Sequence, residues 1–131
     1  MRALLDTSVL IGGESPHNVE AAISVASLAE LHFGVLVAAD PDERARRTAR
    51  LGVIESVFDP LPVTDQTARE WGRLAAAVST RGGKPRRRSV DLVIAATANV
   101  YGVPLLTHNI RDFQIIGDLV DVRRASDGAP A

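Results

Sequence analysis

Short apolar runs recur along this chain, and stretches with helical spacing separate them. Ala3-Leu4-Leu5 stops at Asp6, and Ala22-Ile23-Ser24-Val25 precedes a helical stretch. Val103-Pro104-Leu105-Leu106-Thr107 and Leu119-Val120-Asp121-Val122 complete the series. Runs this short, rich in Leu, Val and Ile, read as strands buried on both faces. The intervening stretches read as helices. Ser27 opens one, with Leu28, Leu31 and Val35 on a single face and Glu30 placed to complete a capping box. Asp40-Pro41-Asp42-Glu43 starts the next, with apolar residues at Ala45, Ala49, Val53 and Val57. Pro60 and Pro62 keep 58–63 extended. Thr64 or Asp65 caps a helix that is apolar at Ala68, Trp71, Ala75 and Val78 and ends at Gly82-Gly83. Ser89 caps the last one, through Asn99. This alternation predicts a three-layer α/β/α domain with a central, mainly parallel sheet. Ligands of such sheets bind at the carboxyl ends of the strands. With 131 residues, one domain over 1–123 is expected, followed by a frayed tail over 124–131.

Composition removes several function classes. The chain has no cysteine, which excludes a disulfide framework, a thiolate zinc site and a cysteine nucleophile. Apolar runs such as Val35–Ala39 and Leu92–Ala96 fall far below the roughly 20 residues of a membrane span. Asp6 interrupts the N-terminus before a signal-peptide core can form. A cytoplasmic protein with no membrane partner is expected. Fifteen basic against sixteen acidic residues leave a net charge of −1, so global charge does not call for nucleic acid. One segment does. Arg81, Lys84, Arg86, Arg87 and Arg88 share an acid-free loop with Gly82, Gly83 and Pro85, which suits contact with phosphates. Arg44, Arg46, Arg47 and Arg50 lie beside Asp40, Asp42 and Glu43 and read as a solvated helix face.

Familiar catalytic signatures are missing. No glycine-rich dinucleotide fingerprint follows the first strand, and no P-loop or nucleophile elbow occurs. Ser8 stands where an aspartyl-phosphate enzyme would need its second acid. His17, His32 and His108 have no ligand-like spacing. Carboxylates remain. Asp6 ends the first strand, Glu30 and Asp91 lie in first turns of helices, and Asp112 follows the strand ending at Thr107. Each has a plain structural use: Asp6 as a cap, Glu30 in its box, Asp91 against a helix dipole, Asp112 in a turn begun by Asn109. Together they fall at one edge of the sheet, where their mutual repulsion calls for a cation. Oxygen-only ligands select Mg²⁺ or Mn²⁺, ions that engage phosphate oxygens and activate water. A metal-dependent phosphodiesterase follows from the residues alone.

Four segments in order also resemble a known family. Leu4-Leu5-Asp6-Thr7-Ser8-Val9-Leu10-Ile11 and Ser27-Leu28-Ala29-Glu30-Leu31-His32-Phe33-Gly34 resemble the opening motifs of PIN-domain ribonucleases. Ser89-Val90-Asp91-Leu92-Val93-Ile94-Ala95-Ala96-Thr97-Ala98 resembles their third motif, and Leu106-Thr107-His108-Asn109-Ile110-Arg111-Asp112-Phe113 their fourth. Order and length resemble the VapC toxins of toxin–antitoxin pairs. The resemblance implies a Mg²⁺-dependent endoribonuclease with Asp6, Glu30, Asp91 and Asp112 as catalytic and metal-binding acids. It implies that Ser8, Thr107 and Asn109 line the site, and that the chain is a homodimer inhibited by a VapB-type antitoxin wrapped over the helices near the cleft. The loop from Arg81 to Arg88 would contact RNA. Ile11-Gly12-Gly13-Glu14-Ser15-Pro16 departs from the pattern by breaking the first helix early, and the short stretch from Pro16 to Ala22 puts that helix in question. Two other functions fit the residues, a non-catalytic RNA- or partner-binding module and a hydrolase of small phosphates. The intact acidic set speaks against the first.

Overall fold

In a computed structural model describing residues 1–12, 16 and 18–125, the strands of the described residues form one parallel sheet. They are β1 (Arg2–Leu5), β2 (Glu20–Ala22), β3 (Leu105–Thr107) and β4 (Val122–Arg124), in the order β2-β1-β3-β4. The helices are α1 (Thr7–Gly12), α2 (Val25–Leu36), α3 (Pro41–Val57), α4 (Asp65–Thr80) and α5 (Ser89–Tyr101). Two 3-10 segments cover Pro85–Arg88 and Ile110–Ile116.

Adjacent leucines produce the layers. Successive side chains of a strand face opposite ways, so Leu4 and Leu105 enter one core while Leu5 and Leu106 enter the other. The first core packs them against Leu74 and Val78 of α4, Leu92 and Ile94 of α5, and Phe113 and Ile116. The second packs them against Val9 and Leu10 of α1, Leu31 of α2, and Leu51 and Ile54 of α3. The expected α/β/α arrangement is what the chain adopts. Among the described residues, no helix is long and apolar enough to cross a membrane.

Several local expectations are corrected. The helix carrying Glu30 starts one turn earlier than the Ser27 box implies. Ser24, in extended backbone, accepts the Ala26 N–H and is the N-cap. Ser27 is instead fully buried inside the helix. Ser89 caps nothing: the turn Pro85–Arg88 runs straight into α5, Arg88 occupies the N-cap position, and no side chain caps it. Asn109 likewise holds an N-cap position without a side-chain bond. Thr64 does form a capping box, with Thr67. Asp40 accepts from the Glu43 N–H, while the Glu43 carboxylate turns to Arg46 and Arg47.

The strand expected at 22–25 pairs with β1 only over 20–22; Ser24 bridges to Leu61 instead. The last strand is 122–124 rather than 119–122, because Leu119 and Val120 fold back onto the Ile116 carbonyl. Arg124 thus belongs to the sheet and Ala125 is buried, so the domain extends beyond 123; 126–131 lie outside the described residues. The four-residue apolar repeat of α3 does not mark its buried face. At 3.6 residues per turn, each step of four advances about 40° around the helix. Leu51 and Ile54 are buried, while Val53 and Val57 remain 63% and 67% exposed. The first helix does form, over Thr7–Gly12, and 13–15 and 17 lie outside the described residues.

Ser24→Ala removes the cap of the helix that carries Glu30, and a lost N-cap costs about 1 kcal/mol. The urea midpoint falls at an unchanged slope; an unchanged midpoint would show that Ser24 is not the cap.

Candidate active site

The carboxyl ends of β1 and β3 lie side by side, since Leu5 pairs with Leu106. The residues that follow, Asp6 and Thr107, are therefore neighbours although 101 positions apart in the chain. Asp6 is only 5% exposed, and its carboxylate is held by two hydroxyls. Ser8 Oγ and Thr107 Oγ1 each donate to Asp6 Oδ2 at 2.8 Å. Both hydroxyls are themselves oriented by the loop after β3: the His108 N–H donates to Ser8 Oγ and the Asn109 N–H to Thr107 Oγ1. A buried carboxylate needs such donors. Both bonds fall on one oxygen.

Glu30 approaches from α2. Thr7, the residue after Asp6, donates its hydroxyl to Glu30 Oε1 at 2.6 Å and is hydrogen-bonded to Ser27 Oγ at 2.9 Å. Thr7 and Ser27 were not among the expected site residues. Thr7 follows directly on the strand-end acid, and that adjacency was the available signal; Ser27 was masked by its resemblance to a cap. Asp91 sits in the first turn of α5, half-buried, and Asp112 stands exposed in Ile110–Ile116.

The four acids share one electrostatic environment. Burial, then the charges of Asp6, Asp112 and Glu30, push the Asp91 carboxyl up from 3.8 to about 6, and Arg88 opposes them. Arg88 also donates to the Asp112 carbonyl, which ties the start of α5 to the segment carrying Asp112. Among the described residues, no three His, Asp or Glu side chains close up into a ready-made metal cluster. The donors are oxygens, and at Asp91 the charge of Arg88 opposes the repulsion of the other acids. That donor set fits a hard divalent cation that retains much of its water.

The basic segment divides. Arg81 forms a bidentate pair with Asp118 and reaches the Ile115 carbonyl, so it fastens the end of α4 to the Ile110–Ile116 segment. Arg88 is at the acids. Lys84, Arg86 and Arg87 stand exposed beyond them.

A family model for the PIN domain matches residues 3–119. The chain belongs to the PIN-domain family. Within it, this PIN domain is 42% identical over 115 residues to Ribonuclease VapC5 of Mycobacterium tuberculosis, covering 81% of this chain and 82% of that protein. It is 34% identical over 125 residues to Ribonuclease VapC4 of the same organism, covering 90% and 93%. Among solved structures it is similar to VapBC-5 from M. tuberculosis, a member of the VapBC family of toxin-antitoxin systems. There the TM-score is 0.79 and the identity 35%, over 95% of this chain and 98% of that one. VapBC2 from Rickettsia felis shares the fold at TM-score 0.73 and 22% identity, over 95% and 98%. The PIN domain is therefore of the VapC type.

Asp91 gives this PIN domain a pH signature. The folded chain binds that proton more tightly than the unfolded chain does. Its contribution to stability is full below about pH 4 and is lost as pH rises through about 6. Metal-free protein is expected to lose stability across that window, and Asp91→Asn to lack that loss, in urea titrations from pH 4 to pH 7.5. Parallel curves for the two proteins would show that Asp91 is not strained by its neighbours.

Proposed function

We propose that this chain is a Mg²⁺-dependent endoribonuclease, with Mn²⁺ as a substitute, and the toxin of a toxin–antitoxin pair. The observation that carries the reading is the convergence of Asp6, Glu30, Asp91 and Asp112 at one sheet edge, expressed in the raised Asp91 carboxyl. Its relatives, named ribonucleases of the VapC type, support the same conclusion.

A divalent cation among these oxygens would polarise the scissile phosphate and favour ionisation of a water. The chain's own residues do the rest. Ser8 and Thr107 hold the Asp6 carboxylate in one orientation, and Thr7 holds that of Glu30. Such preset geometry spares the site from reorganising as charge develops at phosphorus. Asp91, half-buried in the first turn of α5 beside the other acids, would be one of the carboxylates that hold the cation. Lys84, Arg86 and Arg87 meet RNA phosphates on the approach to α5, with Asn109 beside the acids.

The partner in this reading is a VapB-type antitoxin, which the VapBC-5 assembly supports. Phe33 and Leu36 on α2, Val37 at its C-cap, and Val53 and Val57 on α3 are large apolar side chains left exposed, and an antitoxin segment laid over these helices would cover them. Homodimerisation and a cytoplasmic setting belong to the same proposal.

Purified chain, freed of any partner, is incubated with total bacterial RNA in Mg²⁺ or EDTA, beside the Asp6→Asn variant. Discrete fragments that require both Mg²⁺ and Asp6 are expected, with at least a hundredfold loss of rate in the variant. RNA that is bound but never cut would replace this reading with the binding module.

A further inference from the structure

The acids do not end at a flat surface. A groove of about 740 Å³ opens beside them and runs toward the β4 edge, lined by Thr107, Asn109, Arg111, Asp112, Gln114 and Arg124. Thr107 and Asp112 belong to the active site just described, so the groove is continuous with it. Sheet register sets its direction. Asp6 stands beside Thr107, and Thr107 pairs with Arg124. Two strand spacings of about 4.8 Å put the Arg124 backbone about 10 Å from that of Asp6, within reach of a short oligonucleotide strand.

The charges along it are unspent. Arg123 pairs with Asp121 and Arg81 with Asp118, but Arg111 and Arg124 have no ion pair or side-chain hydrogen bond among the described residues. Both are exposed, and both border a concave polar surface. A guanidinium left free in a groove that leads to a phosphodiester-cleaving centre is matched by phosphate, which it can bind through two parallel N–H donors. The amides of Asn109 and Gln114 lie along the same groove and can both donate to and accept from the edges of unpaired bases.

We propose that this groove is a second RNA subsite, separate from the Lys84–Arg87 segment. Arg111 and Arg124 hold phosphates of the single strand flanking the cleaved bond, and Asn109 and Gln114 contact its bases. The inference rests on the ribonuclease reading above.

Binding of a short fluorescein-labelled single-stranded RNA is followed by anisotropy in EDTA, so that the strand is not cut, over a series of salt concentrations. For single strands the slope of log K against log salt falls by about 0.7 per phosphate contact. The double variant Arg111→Ala/Arg124→Ala is expected to bind about tenfold more weakly, with a slope shallower by about 1.4. Arg111→Lys/Arg124→Lys should keep the slope, which a loss of folding would not allow. In Mg²⁺ the alanine variant should raise KM more than it lowers kcat. Unchanged affinity and slope, with wild-type protein that binds and cleaves, would overturn this subsite alone. Wild-type protein that neither binds nor cleaves RNA would overturn the ribonuclease reading, and the subsite with it.

Discussion

Two hydroxyls on one carboxylate oxygen tie the end of β1 to the end of β3, 101 positions along the chain. Ser8 and Thr107 both donate to Asp6 Oδ2, and the backbone of the loop after β3 donates in turn to each hydroxyl. The parallel pairing of β1 with β3 makes this possible, because it lays Asp6 beside Thr107. Without it the carboxylate would be a buried, poorly solvated charge, which proteins rarely tolerate. With it, the position of Asp6 is tied to the same loop that leads to Asn109 and Asp112. The sheet edge, the first acid and the last acid therefore form one mechanical unit.

The remaining acids are brought to that unit by helices that have other reasons to be where they are. Leu31 anchors α2 under the sheet and so carries Glu30 to Thr7. Leu92, Ile94 and their neighbours bury α5 and so fix Asp91 in its first turn. Apolar packing thus buries Asp91 and holds like charges near it, and the Asp91 carboxyl is raised first by that burial and then by those charges. In the proposed reading, a bound divalent cation would relieve the repulsive part of that rise, so the feature that weakens the metal-free fold near neutral pH would favour binding. Arg88 relieves part of the strain while bracing Asp112.

Much of this was legible in the sequence. The strand-end position of Asp6 and the helix-start position of Asp91 followed from short apolar runs and their neighbours, and the adjacent leucines marked a sheet covered on both faces. What failed was local and had local causes. Ser27 and Ser89 look like caps in sequence, but Ser24 and the incoming turn at Pro85–Arg88 had already begun those helices. The α3 repeat misled because a four-residue period drifts around a helix. The strand limits at β2 and β4 depended on partners, Leu61 and the Ile116 carbonyl, that no local pattern names. The bond from Thr7 to Glu30 and the placement of Arg111 and Arg124 along one groove arise only when distant segments meet. The acidic set stands out in the sequence because chemistry constrains residue type; the groove does not, because arginines on a surface are common.

Calorimetric titration of Mn²⁺ or Mg²⁺ into the metal-free chain near pH 7.5 reads the shared site directly, independent of any RNA target. Saturable binding is predicted for wild-type protein, with at least tenfold weaker binding in the folded Asp6→Asn and Asp91→Asn variants. No binding, or equal affinity in all three proteins, would contradict the claim that these carboxylates form one cation site.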